Sequence, residues 1–160
     1  NSELAEKAGI ACENGITVDE RCQTSIPRIY AAGDCTNHPN PLLNRRLRLE
    51  SVPNAMEQAR VCAANMVGKD KIYSSIPWFW SDQYELKLQM VGFSSDGDSE
   101  IIRGDMDANQ FSVFHVKENK VMAADSVNSP KDFMICKQLI GKEVDLDQLL
   151  DESVELKSML

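Results

Sequence analysis

The sequence predicts an α+β chain in two pieces: the tail of a doubly wound α/β domain, then a small antiparallel sheet with helices on one face. Three observations carry this. A short apolar run, Arg28–Ala32, stops at Gly33 as a buried parallel strand would. An amphipathic helical stretch follows it after a polar loop. Beyond residue 77 the apolar period changes to two, and the KENK segment (residues 117–120) joins two β-rich runs as a hairpin.

Taken in order, Ser2–Gly9 has helical spacing, with Leu4, Ala5 and Ala8 on one side and Gly9 at the C′ position. GITVD, residues 15–19, is a short strand. Arg28–Ala32 is the second, and residues 37–48, rich in Asn, Pro and Arg, form a loop. Ser51 caps a helix with Pro53 in its first turn and Met56, Ala59, Ala63 and Met66 as its stripe, ended by Gly68. Residues 69–76 are a linker. Leu86, Leu88 and Met90 alternate with Lys87 and Gln89, Glu100–Arg103 is a further strand, and FSVFHV and VMAADSV flank the hairpin turn. Pro130 opens an amphipathic helix that Gly141 closes, and Leu146–Leu150 forms a last short one. The pieces are therefore residues 1–70 and 77–160, of three to five antiparallel strands in the second. The first piece is too short for a doubly wound domain, because its few strands lack partners.

Charge excludes one class of function. Residues 1–80 hold nine Lys/Arg and nine Asp/Glu, whereas residues 81–160 hold eight against sixteen, so the net charge of −8 sits in the second half. Nucleic-acid binding needs a basic footprint and is not expected. The longest apolar runs are a handful of residues, too short to span a membrane, and the first residues lack the features of a signal peptide. Cys12, Cys22, Cys35, Cys62 and Cys136 are far apart without a C-x-x-C, so no metal site and no disulfide framework is expected. They read as reduced thiols of a cytoplasmic protein. No Ser/His/Asp or Cys/His array marks a catalytic residue.

The chemistry concentrates in Thr24–Asp34, T-S-I-P-R-I-Y-A-A-G-D. A strand delivers the chain to the carboxyl edge of a sheet, where open α/β folds bind ligands. Gly33 permits close backbone approach, and Asp34 offers a carboxylate to a sugar-type hydroxyl. This pattern resembles the second FAD fingerprint of the two-dinucleotide-binding flavoproteins. Arg48–Ala59 (RLESVPNAMEQA), Pro77–Gln83 (PWFWSDQ), FSVF and VNSPKDF extend the resemblance to the oxygenase-coupled, FAD-dependent NAD(P)H:ferredoxin reductases, in most segments of the chain.

The resemblance implies a function and a set of contacts. The reaction is transfer of electrons from NADH through FAD to an iron–sulfur ferredoxin of an oxygenase or P450 system. Gly33 and Asp34 hold the ribityl chain. The helix beginning near Val52 turns its N-terminus to the flavin pyrimidine edge, where a positive dipole end suits the charge gathered on reduction. Glu50 accepts from the nicotinamide carboxamide, and Trp80 packs beside the isoalloxazine, while Trp78 and Phe79 pack at the domain junction. Arg45 and Arg46 form a basic loop in an acidic chain and are expected to help dock the acidic ferredoxin.

Such enzymes also carry G-x-G-x-x-G fingerprints for the FAD pyrophosphate and the pyridine nucleotide, and neither spacing occurs here. The expectation is the C-terminal part of a reductase, with residues 1–15 as the exit from the NADH domain and the N-terminal nucleotide-binding regions missing. The alternative is a folded packing or docking module that binds no FAD by itself. A disulfide reductase of the same superfamily fits less well, because its characteristic C-terminal ending is absent.

Overall fold

A computed structural model describes residues 1–160, which divide into two compact units, Asn1–Pro77 and Trp78–Leu160.

In the first unit, α1 (Glu3–Lys7) ends as expected at Gly9, whose φ is +75°. β1 (Ile16–Thr17) pairs in parallel with β2 (Thr36–Asn40), and β2 pairs antiparallel with β3 (Arg45–Leu47). Two expectations are overturned here. Arg28–Ala32 is not a buried strand: it makes a single bridge, Tyr30 to Gln23, and Ile29 is exposed. Its backbone bonds reach only residues 22–26, and no strand of the chain runs along its other edge, so it has no ladder to join. The Asn/Pro/Arg-rich stretch, expected as a loop, instead holds β2 and β3. Pro39 is tolerated because β3 supplies the pairing around it and Asn40 Oδ1 accepts from the N–H groups of Leu42 and Leu43 to turn the hairpin.

Helix α2 spans Val52–Met66. Ser51 caps it as expected, but the helix is turned the other way. Met56 and Met66 are exposed, and the buried face is Pro53, Asn54 and Gln58. Hydrogen bonds select that face. Asn54 Nδ2 donates to Leu49 O and its Oδ1 accepts from Tyr73, while Asn65 Nδ2 donates to the carbonyls of Arg21 and Lys71. A helix whose side chains satisfy this many turn carbonyls gains more by facing them than by burying a methionine stripe for which the unit has no opposing apolar layer. Tyr73 is buried and its N–H meets Glu20 O, so residues 69–76 are anchored and do not form a free linker.

The second unit is a five-stranded antiparallel sheet in the order β4-β5-β8-β7-β6. β4 (Trp78–Gln83) is an edge strand that the aromatic cluster concealed in the sequence. β5 is Leu86–Gly92, β6 Ser99–Asp105, β7 Gln110–Lys117 and β8 Lys120–Val127. The β7–β8 turn is Glu118–Asn119, both with positive φ, as a two-residue primed turn demands. α3 (Pro130–Leu139) packs on β8 and β5, and α4 (Leu146–Leu150) on β6. The core is Val91, Ile101, Phe114, Phe133, Cys136, Leu139 and Leu149. Cys22 and Cys136 are core residues of their units, and burial pushes both thiols up to about 12.

One charged group lies in this second core. Arg103 of β6, 8% exposed, donates to the carbonyls of Leu149, Asp151, Glu152 and Val154. It thereby closes the C-terminal end of α4 and holds the final segment against the sheet. Arg103→Met should cost about 3 kcal/mol of stability, since four carbonyls lose a charged donor. Urea unfolding followed by tryptophan fluorescence reads this unit directly, because Trp78 and Trp80 are the chain's two tryptophans.

His38 supplies a pH dependence in the first unit. It is 1% exposed, edge-on to Tyr73 with ring centroids 5.1 Å apart, and neither ring nitrogen has a partner. Burial, with a smaller contribution from the Arg46 charge, lowers its pKa from 6.5 to about 4. Between those values the unfolded chain binds a proton that the folded chain does not, so stability is full above pH 6.5 and falls as pH drops toward 4. The loss should reach up to about 3 kcal/mol. Thermal melts between pH 7 and pH 4 should show it for the native chain and not for His38→Phe.

Candidate functional site

The site forms where the Gly33 turn meets the start of α2. Gly33 has φ +89°, in the left-handed region that glycine adopts without strain. Its N–H donates to Gln58 Oε1 at 2.7 Å, and its carbonyl accepts from the Thr36 N–H at 3.0 Å. Thr36 Oγ1 stands 2.8 Å from both Gly33 O and Gln58 Oε1. A side chain at Gly33 would meet Ala55 Cβ at 3.6 Å, so the close approach here is to the helix.

This turn exposes Asp34, whose carboxylate makes no hydrogen bond or ion pair within the chain. It lines a cleft of about 360 Å³ together with Asn14, Gly15, Cys35, Arg48 and Glu50. Gly15 must be glycine: at φ +111°, a Cβ would lie 2.7 Å from Cys35 O. Arg48 donates to Asn14 Oδ1 at 3.1 Å and forms an ion pair with Glu50. Glu50 is thus held at the cleft by a cation.

The mouth of α2 completes the arrangement. Pro53 has no N–H, the Asn54 N–H donates to Ser51 Oγ, and the Ala55 N–H donates to Ser51 O. The Val52 N–H is the first-turn donor left over, at the positive end of a helix of 15 residues. One carboxylate acceptor and one dipole-reinforced donor are therefore presented from adjoining backbone segments.

Of the residues expected from sequence, Gly33, Asp34, Glu50 and Val52 lie in this one region. Arg45 and Arg46 lie on β3 and border a different hollow, of about 450 Å³, with Pro39, Pro41 and Ile72. Arg46 is a brace within the unit: Nε donates to Asn37 Oδ1 at 3.0 Å, and Nη2 to the carbonyls of Val18 and Asn37 at 2.8 and 2.5 Å. Trp80 belongs to the second unit. It lies on β4 opposite Gln89, 37% exposed, with its ring 5.5 Å from Trp78, which in turn packs on Phe133 and under Lys137 Nζ.

Gln58, Thr36 and Gly15 were not singled out in the sequence. A signal for Gln58 exists: Asn54, Gln58 and Asn65 form a polar face at helical spacing, and a buried amide face marks a helix packed on backbone.

The cleft offers an unpaired carboxylate, and the chain contains no G-x-G-x-x-G turn of the kind that cradles a pyrophosphate.

Comparison with known proteins agrees with this division. Residues 1–59 match the family described as pyridine nucleotide-disulphide oxidoreductase, and residues 78–160 the family described as reductase C-terminal. Putidaredoxin reductase of Pseudomonas putida is 46% identical over 100% of the chain and 38% of its own length. The ferredoxin–NAD(+) reductase component of the anthranilate 1,2-dioxygenase system of Burkholderia cepacia is 43% identical over 100% of the chain and 40% of its own. The crystal structure of the covalent putidaredoxin reductase–putidaredoxin complex matches with a TM-score of 0.91 and 47% identity, over 99% of this chain and 39% of that one. The chain spans about two fifths of the length of these relatives. With more than half of its residues, 78–160, in the family match, the chain belongs to the reductase C-terminal family.

Proposed function

We propose that the chain is the C-terminal part of an FAD-dependent reductase that passes electrons from NADH to an iron–sulfur ferredoxin serving an oxygenase or P450. The observation that carries the proposal is an unpartnered Asp34 carboxylate in a cleft it shares with Glu50, two residues before the left-over Val52 N–H at the start of α2. The relatives' names, which include a putidaredoxin reductase and a dioxygenase-system reductase, supply the electron donor and acceptor classes. A cytoplasmic location goes with the nicotinamide substrate, and no helix of the chain is long and apolar enough to cross a membrane.

In this reading the bound flavin supplies two-electron uptake and one-electron release. The chain's residues bind and orient. Asp34 accepts hydrogen bonds from ribityl hydroxyls. The Val52 N–H and the α2 dipole favour negative charge at the pyrimidine edge. Glu50, steadied by Arg48, accepts from the nicotinamide carboxamide, which sets the face and depth of NADH. Residues 1–70 are the end of the FAD-binding domain and residues 77–160 the C-terminal reductase domain.

Two experiments test this. The isolated 160-residue chain should purify without flavin absorbance near about 450 nm and take up none on adding FAD, while a polypeptide supplying the pyrophosphate-binding fingerprint should restore it. Tight FAD binding by the chain alone would make the cleft a complete site and refute the partial-site reading. In the full-length reductase, Arg45→Glu should raise the KM for the ferredoxin and flatten its dependence on ionic strength. An unchanged salt dependence would remove Arg45 from the docking surface. Arg46→Glu should lower the melting temperature as well, because its guanidinium braces Asn37 and Val18.

A further inference from the structure

Gln58 is fully buried, and its orientation is fixed by its partners: only an oxygen can face the Gly33 N–H, so Oε1 points to the turn and Nε2 points away. That leaves Nε2 buried with no acceptor in the chain. An orphaned buried donor costs about 1–3 kcal/mol. A residue serving packing alone at this position would do better as leucine or methionine. The amide is therefore kept for what Oε1 does.

What Oε1 does is join two segments. It accepts from Gly33 N at 2.7 Å and stands 2.8 Å from Thr36 Oγ1, on either side of Asp34 and Cys35. Gln58 itself sits in α2, six residues beyond Val52. The turn that presents the Asp34 carboxylate and the helix that presents the Val52 N–H are thus locked to each other through one carboxamide. Asp34 has no hydrogen bond or ion pair of its own to hold it.

We infer that Gln58 is a positioning residue for the flavin: it sets the distance between the Asp34 carboxylate and the α2 N-terminus, so that ribityl and ring end are held together. The inference rests on the flavin reading above. Gln58 touches neither flavin nor nicotinamide in this role and acts through Asp34.

The test is a double-mutant cycle on FAD affinity in the full-length reductase, read by fluorescence titration of the apoprotein well below its melting temperature. Asp34→Asn should weaken FAD about 30-fold, and Gln58→Leu about 10-fold. The double variant should bind within about threefold of Asp34→Asn alone, because a misplaced turn matters only while it carries the carboxylate. A merely structural role predicts losses that multiply, and multiplying losses overturn the inference. So does wild-type affinity in Gln58→Leu. If Gln58→Leu does not fold, Thr36→Val serves: it removes one partner of Oε1 and should cost about threefold, again vanishing on the Asp34→Asn background. An additive effect there overturns the inference too. Unchanged FAD affinity in Asp34→Asn itself would instead overturn the flavin reading, and the positioning role with it.

Discussion

Gly33 holds a backbone conformation that glycine alone adopts freely, and its N–H has to find an acceptor because the turn is buried. Gln58 supplies that acceptor from inside α2, and much of the first unit follows. To bring Gln58 to the turn, α2 must rotate its amide face inward, which also delivers Asn54 to Leu49 O and Tyr73, and Asn65 to Arg21 O. The same rotation leaves Met56 and Met66 outside. It also seats Ala55 beside Gly33, where a Cβ at Gly33 would lie 3.6 Å from Ala55 Cβ. The polar interior of this unit is thus a consequence of one unusual turn.

The second unit solves a related problem with charge. Its final segment has Val144, Leu149 and Leu156 as its buried anchors. Arg103 places a planar donor group where several carbonyls converge. A buried guanidinium is costly to desolvate, and here its N–H groups are met by backbone oxygens instead of a carboxylate. On the same sheet, Ser112 and Ser126 satisfy each other at 2.8 Å across β7 and β8. Arg103, Ser112 and Ser126 thus enter this core as satisfied groups, whereas the buried Trp78 Nε1–H has no acceptor.

The second unit was legible in the sequence and the first only in its motifs. Strict alternation at Leu86–Met90, the KENK turn and the periodic helix after Pro130 are local signals, and β5, β7, β8 and α3 appear where those signals lie. β4 was missed because WFW reads as an aromatic cluster with no alternation. In the first unit the errors share one cause. Arg28–Ala32 has the composition of a buried strand but no neighbour to ladder with, and the α2 apolar stripe has no facing layer. Periodicity reports which face is apolar, not which face the unit has something to offer. Asp34 was singled out from the motif Thr24–Asp34, and Glu50 and Val52 from the motif Arg48–Ala59, each a contiguous run. Gln58 is 25 residues from Gly33, and no local pattern joins them.

Magnitudes decide what the cleft can hold by itself. Ordering a ligand costs about 4–15 kcal/mol in lost freedom. A charge-assisted bond to Asp34 contributes about 1.5–3 kcal/mol and a neutral one to the Val52 N–H about 1 kcal/mol. Those two contacts barely reach the lower bound of that cost. A dinucleotide needs its largest polar group, the pyrophosphate, held as well, and glycine-rich turns at helix N-termini do this because several N–H groups and a dipole converge on one anion. On the proposed flavin reading, the chain's contacts therefore serve orientation more than affinity. This is also where a positioning residue has most effect. On the proposed flavin reading, where binding energy comes from elsewhere, small displacements of a single carboxylate tune how the ribityl chain is held, and the amide of Gln58 ties the turn that carries that carboxylate to α2.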